Sequence, residues 1–175
     1  MPEGPEVRKE INKLKKFKNK KLFSINFLGG RYKRHGPPKM YKKIKKELPL
    51  KIISINNKGK FVWIQLDKGW SIWITLGMTG KLINNCGKKL DCIPHNNVEF
   101  KTNSGIFYMN DVRNFGTVKF CNNIKDLDKK LNSLGPDLIV DKVSKDYLYN
   151  KIKESRSKKT IAEFLLDQKV LSGVG

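Results

Sequence analysis

Pro2, Glu3 and Glu6, in the opening run Met1-Pro2-Glu3-Gly4-Pro5-Glu6-Val7, are the residues of this chain best placed for covalent chemistry. Removal of the initiator methionine would turn the Pro2 nitrogen into a free secondary amine. An α-amino group titrates at about pH 8, roughly two units below a lysine, so more of it is unprotonated at neutral pH. A secondary amine that attacks an aldehyde carbon gives an iminium ion, a strong electron sink of the kind lysine Schiff bases provide. Glu3 lies directly beside this nitrogen and Glu6 three residues on. Taken by themselves, the two acids also suit the start of a helix, where the dipole favours negative charge.

Such a nucleophile needs a fixed, open position, and the next residues supply one. Pro5 can open a helix in its first turn. Val7, Ile11, Leu14 and Phe17 then draw one apolar stripe opposite a Lys-rich face, which predicts a helix packed on a sheet with Pro2 and Glu3 at its exposed start. Runs rich in Ile, Phe, Val and Trp predict strands at 22–28, 50–56, 60–66, 70–76, 97–101, 106–110 and 117–121. Asp67-Lys68-Gly69 and Asn103-Ser104-Gly105 read as hairpin turns, and 29–40, with its glycines, prolines and basic residues, as a loop. Residues from about 20 to 121 are therefore expected to form an antiparallel β-sandwich or barrel.

After Cys121 the period changes. Ile124, Leu127, Leu131 and Leu134 recur at helical spacing, and Gly135-Pro136 stops that helix and marks a boundary. Helical segments are predicted at about 144–154 and 159–171, the second turning Ile161, Phe164, Leu165 and Val170 inward. The expected class is α+β: a β-sandwich with a leading helix in 1–134, then a helical unit in 135–175. That unit lacks a second layer for its apolar faces, so part of them is expected to stay exposed.

Lys and Arg number 37 against 16 Asp and Glu, a formal net charge of +21 with an isoelectric point of about 9.9. That excess points to a polyanion, most simply nucleic acid. Part of it is composition bias, since Lys, Ile and Asn are all abundant. No apolar run reaches the roughly 18 residues of a membrane span, and the acidic start does not fit a signal peptide. Cys86, Cys92 and Cys121 do not make a disulfide framework, and a reducing compartment fits them. Cys86, Cys92 and His95 lack the paired Cys-x-x-Cys of a zinc site, so no metal is expected.

Further short motifs follow in order. They are Lys58-Gly59-Lys60, Leu76-Gly77-Met78-Thr79-Gly80, Asp111-Val112-Arg113-Asn114-Phe115-Gly116, Leu134-Gly135-Pro136-Asp137, and Leu166-Asp167-Gln168-Lys169 leading to Ser172-Gly173-Val174-Gly175. Singly they mean little: Met78 and Phe115 suit strand packing, Arg113 a surface charge, and Lys60 is one lysine among many. Together with Pro2, Glu3 and Glu6 the set resembles the formamidopyrimidine-DNA glycosylase / endonuclease VIII family along the whole chain. Its Lys- and Asn-rich, glutamine-bearing form is similar to the endonuclease VIII-like enzymes of giant viruses.

The resemblance implies a bifunctional DNA glycosylase/AP lyase of base-excision repair. Its β-sandwich would be followed by a helix–two-turn–helix domain and a zinc or zincless finger. Damaged DNA would lie between the halves with its lesion flipped out. Pro2 would attack the sugar, Glu3 would act as general acid/base, and Lys60 would contact phosphate beside the lesion. Glu6 would face the lesion. Met78, Arg113 and Phe115 would fill the void left in the duplex, a role that suits a thioether, a planar cation and a ring. Asn114, Lys158, Gly173 and Gly175 match DNA-contacting positions. Asn114 departs from the arginine common at that place, which weakens one phosphate contact.

The implied partner is damaged DNA, in duplex, bubble or single strand, bound by a monomer inside the cell, whether in nucleus, cytoplasm or viral factory. Oxidised pyrimidines and ring-opened purines are the expected lesions. No cofactor is expected in these residues, the zinc finger belonging to a longer form. The family's next asparagine and second helix would follow Gly175, so the chain is expected to be incomplete. A rival expectation is a non-catalytic DNA-binding remnant. A ribosomal-type RNA binder would explain the charge but not Pro2, Glu3 and Lys60.

Overall fold

The computed structural model describes residues 1–84, 93–155 and 159–175. The leading helix is α1, Gly4–Leu14, and its start is fixed by side chains. Glu3 occupies the N-cap in extended backbone and forms a capping box with Glu6, whose Oε2 accepts the Glu3 N–H at 3.0 Å. Donors that a helix start leaves unpaired are thereby satisfied. Pro5 lies in the first turn, where its missing N–H is harmless. Val7, Ile11 and Leu14 are buried, and one 3-10 turn, Lys15–Phe17, buries Phe17 below them.

Among the described residues eight antiparallel strands build the sheet: β1 Lys21–Phe27, β2 Leu50–Lys58, β3 Phe61–Leu66, β4 Ser71–Thr75, β5 Lys81–Asn84, β6 Asn96–Thr102, β7 Gly105–Asn110 and β8 Thr117–Cys121. Their order is β5-β7-β6-β1-β2-β3-β4-β8. β1 and β2 pair only over Lys21↔Lys51 and Leu22↔Leu50, which lets the sheet bend there into two four-stranded halves. Four places in a flat sheet would separate β1 from β8 by about 19 Å. The rings of Phe27 and Phe120, on those two strands, are 6.4 Å apart, so the halves fold face to face. Inward residues of both, such as Phe100 and Phe107 from one and Val62, Ile64 and Ile72 from the other, share one core. The α+β class with an antiparallel sandwich is the observed one.

Five details differ from the sequence reading. The loop at 29–40 holds a short helix, α2 Arg31–His35, and a second helix, α3 Tyr41–Glu47, follows it. Neither carries a long apolar period; α2 is held instead by Tyr32, whose hydroxyl bonds both the N–H and the carbonyl of Val118. Burial raises the Tyr32 pKa, against the lowering effect of the Val118 bond and of Arg31. The four-residue β5 is too short to stand out in the sequence. Lys60 is not in a strand but in the β2–β3 turn, because Gly59 takes a left-handed φ of +54°. The helix expected over 159–171 is only α6, Ile161–Leu166, and Ile161 is 62% exposed rather than inward. It stops because the Asp167 carbonyl accepts the N–H groups of Val170 and Leu171 and turns the chain.

The helices α4 Ile124–Asn132 and α5 Lys145–Glu154 lie where helical spacing put them, capped by the side chains of Asn123 and Ser144. Phe164, Val170 and Leu171 make a small second core with Tyr147 and Leu148. Tyr149, Ile152, Ile161 and Leu166 remain exposed on these helices. Among the described residues no helix is long and apolar enough to cross a membrane.

The turn after α6 returns to the sandwich. Gly4 N–H donates to Gly173 O at 3.0 Å, and Ser172 N–H to Pro136 O at 2.9 Å. A Cβ added to Gly59 would stand 2.4 Å from Gly173 N, and one added to Gly173 3.2 Å from Gly59 Cα. Gly59→Ala therefore combines left-handed strain with a backbone clash, and a loss of about 2–4 kcal/mol is expected. Urea unfolding checks it: a midpoint equal to that of the parent chain would show that the junction yields freely.

Candidate functional site

The site begins where those three backbone segments meet. Asp137, 2% exposed, ties them together. Its Oδ2 accepts the Gly59 N–H at 2.9 Å and Arg8 Nη2 at 3.0 Å, while Oδ1 accepts the Ile139 N–H at 3.0 Å. One carboxylate thus fixes α1, the β2–β3 turn and the segment after α4. The Gln168 side chain holds the turn after α6, accepting the Gly173 N–H and donating to Val174 O, both at 2.9 Å. The neighbouring Asp167 carboxyl is held below its ordinary range first by the Lys169 N–H, against burial, with Lys159 adding to the effect.

This junction brings Glu3 and Lys60 to one point. A Cβ built on Gly175 would meet Lys60 Nζ at 2.5 Å and Glu3 Oε1 at 2.8 Å. Pro2 stands next to them, between two cavities that it and Met1 line together. One, of about 540 Å³, is bordered by Lys58, Lys60, Phe61 and Trp73. The other, of about 590 Å³, runs past Glu6 and Lys9 to Met78 and Val112. A nitrogen at this position can reach a group entering from either side, with a carboxylate and an ammonium beside it. Pro2, Glu3, Glu6, Lys60, Gly173 and Gly175 are therefore gathered in one place.

Met78 faces the second cavity, while Arg113 and Phe115 stand farther along on a neighbouring loop. A buried polar network holds both loops. Asp111, fully buried, accepts the Thr79 hydroxyl and, at 2.7 Å, the Gly116 N–H. Thr79 in turn accepts the Arg113 N–H at 3.1 Å. Gly77 has φ +63°, and a Cβ there would lie 2.8 Å from Gly116 N, so the loops touch. Asn114, at φ +59°, accepts the Asn97 side-chain N–H at 2.8 Å; its amide is turned into the protein. The network leaves Met78 41% and Phe115 53% exposed, with the Arg113 guanidinium carbon 5.0 Å from the Phe115 ring centroid. Apolar side chains held outward on a braced loop mark a contact surface.

Residues that the sequence reading did not single out complete the surroundings. Arg31, Lys33, Arg34 and His35 of α2 share a depression with Arg113 and Phe115. Asp111, Thr79 and Asn97 lay inside or near quoted motifs, but nothing in their spacing marks them as bracing groups. Lys158, Cys86 and Cys92 lie outside the described residues. Among the described residues no cluster of three His, Cys, Asp or Glu side chains could hold a metal.

Residues 1–118 match the family model described as the Formamidopyrimidine-DNA glycosylase N-terminal domain. The formamidopyrimidine-DNA glycosylase of Yersinia enterocolitica is 33% identical over 128 residues, 71% of this chain and 45% of that protein. That of Yersinia pseudotuberculosis is 34% identical over the same shares. The chain thus spans about half the length of these curated relatives. Among solved structures, the Lactococcus lactis formamidopyrimidine-DNA glycosylase bound non-covalently to DNA containing an AP site superposes with a TM-score of 0.80 at 25% identity. That match covers 99% of this chain and 64% of that one. MutM in complex with DNA containing carbocyclic 8-oxo-G gives a TM-score of 0.79 at 26% identity, over 99% and 64%.

Asp111→Ala would leave the Gly116 N–H and the Thr79 hydroxyl without their partner. A loss of about 2–4 kcal/mol is expected, because each abandoned buried donor carries a desolvation cost. Faster hydrogen exchange at the Arg113 and Gly116 amides should accompany it. Unchanged exchange there would show that the carboxylate does not hold the loops.

Proposed function

The chain belongs to the formamidopyrimidine-DNA glycosylase family, and from that premise we propose that it carries the catalytic part of a bifunctional DNA glycosylase/AP lyase acting on oxidised bases. The observation that carries the reading is the convergence of Pro2, Glu3 and Lys60 beside Gly175, between two cavities that Pro2 lines. Its relatives bind DNA containing an AP site or 8-oxo-G, and those substrates are taken over here as part of the proposal.

In the proposed reaction Met1 is removed and the Pro2 nitrogen attacks C1′ of the flipped nucleotide. The C1′–base bond breaks and the base leaves with its electron pair. The proton released by the Pro2 nitrogen passes to the departing base; Glu3 then passes a proton to the ring oxygen, the sugar opens, and the freed nitrogen lone pair forms the iminium. Loss of a C2′ proton then expels the 3′ phosphate, and a second elimination expels the 5′ phosphate. The Lys60 ammonium offsets the charge of a phosphate beside the lesion. Glu6 stands along the second cavity, on the side of Met78. Met78, Arg113 and Phe115 enter the gap left by the base, paying for unstacking with new contacts. These side chains suffice for the steps, with no cofactor.

Borohydride reduction of the iminium should leave a covalent adduct with abasic-site DNA. A variant that retains Met1 should give none, since its Pro2 nitrogen is an amide. Adduct formation through an internal lysine in that variant would sink the proline mechanism. No adduct from the parent chain would favour the non-catalytic DNA-binding reading.

Glu3→Gln isolates the acid from the helix cap, because the amide keeps an acceptor oxygen at the N-cap. Base excision should fall by about 10²–10⁴-fold while DNA affinity holds. An unaltered excision rate would remove Glu3 from the chemistry. Lys60→Ala should weaken DNA binding and reduce the slope of log affinity against log salt by about one counterion. An unchanged slope would place Lys60 away from phosphate.

A further inference from the structure

The first cavity continues away from Pro2 over the outer face of the half-sheet β2-β3-β4-β8. The register sets what that face displays. Lys58, Phe61, Thr75 and Thr117 stand in one row across the four strands, and Asn56, Trp63, Trp73 and Lys119 in the next. The apolar inner face of the same strands is core, so three aromatic rings on the outer face are not needed to close the sandwich. α4 crosses one side of this face. Lys58 Nζ donates to the Leu131 and Leu134 carbonyls at 3.0 Å each, and Lys130 lies 5.5 Å from the Phe61 centroid. The remainder stays open as the groove.

Trp73 is braced within it. Its Nε1 donates to Ser71 Oγ at 2.8 Å, and its ring meets Phe61 edge-on at 5.6 Å between centroids. Lys119 Nζ sits 4.8 Å from the Trp73 centroid. A lysine over a ring is not in itself a ligand signal, since Lys153 and Tyr149 repeat the pairing on the exposed side of α5. The groove differs in three respects. It is concave, of about 540 Å³; its lining holds Lys58, Lys60, Lys119 and Lys130 and, among the described residues, no carboxylate; and it opens at Pro2. A ring fixed in place beside Lys119, with Lys130 near Phe61, is complementary to a strand that offers phosphates and base faces together.

We infer that this groove takes an unpaired nucleotide of the DNA strand that runs away from Pro2, its base stacked on Trp73 and its phosphate near Lys119. The inference rests on the glycosylase reading for the direction in which the strand enters. It assigns the aromatic outer face to single-stranded or locally opened DNA. Duplex DNA keeps its bases inside and cannot offer one to Trp73.

The test compares affinities, at one salt concentration, for a single strand carrying a tetrahydrofuran abasic analogue and for the same strand annealed to its complement. Trp73→Ala should lower the single-strand to duplex affinity ratio about tenfold, the usual scale of one base–aromatic stack. Trp73→Phe, which keeps a ring, should hold that ratio to within about twofold. Tryptophan emission should be quenched when oligothymidylate binds the parent chain, and the quench should largely vanish in Trp73→Phe. That second readout stands even if the alanine variant does not fold. A ratio unchanged in Trp73→Ala, an equal fall in both variants, or a quench retained in Trp73→Phe would each overturn the inference. Borohydride trapping separates the two readings. A chain that traps abasic DNA but shows no Trp73 dependence loses the groove and keeps the glycosylase. A chain with the Trp73 dependence but no trapping loses the glycosylase alone.

Discussion

The Asp137 carboxylate is the constraint on which the rest of the site depends. A buried carboxylate is unfavourable unless it is well bonded. Asp137 meets that requirement with two donors from distant parts of the chain, Arg8 and Gly59, and one from its own turn, Ile139. Its own desolvation thus holds α1 and the β2–β3 turn against the segment after α4. The glycines at 4, 59 and 173 follow from that closeness, since backbone approaches there leave no room for side chains. Pro2, Glu3 and Lys60 inherit their positions from this junction rather than from contacts of their own.

A second carboxylate works by the same physics at the other end of the site. Asp111 braces the loops of Met78 and Phe115 through Thr79 and Gly116, and lets apolar side chains stand in water without folding back. Met78 and Phe115 are exposed and Pro2, Glu3 and Lys60 half-buried, and each set is carried by a buried carboxylate that is not. Exposed side chains gain little from their own surroundings, so their placement depends on that support.

Much of this was legible in the residues. The apolar stripe of α1, seven of the eight strands and helices α4 and α5 follow from period and turn chemistry, because in each the burial pattern repeats along the element. The short elements α2, α3 and β5 were not, since each is held by tertiary contacts such as the Tyr32 hydroxyl rather than by a repeating pattern. α6 was overextended because Val170 and Leu171 fall on helical spacing yet are buried by a turn at Asp167. The gathering of Pro2, Glu3 and Lys60 was readable only as an ordered set. Asp137 and Asp111 were visible within motifs, but their work is done at contacts of long sequence separation, which spacing does not encode. The Trp73 groove was hidden by abundance: in so basic a chain Lys119 and Lys130 carry no signal until the sheet register sets them beside rings.

The junction of Gly4, Gly59 and Gly173 also bears on the order of events as the chain is made. Gly4 is synthesised long before Gly173, the residue whose carbonyl bonds it. The β-sandwich can close once β8 is available, since its strands and core need nothing beyond it. Pro2 and its neighbours cannot be held in their final arrangement until the segment near residue 173 has left the ribosome and docked. A nascent chain would therefore pass through a stage in which the sandwich is folded while the segment before α1 still lacks the partner that fixes it.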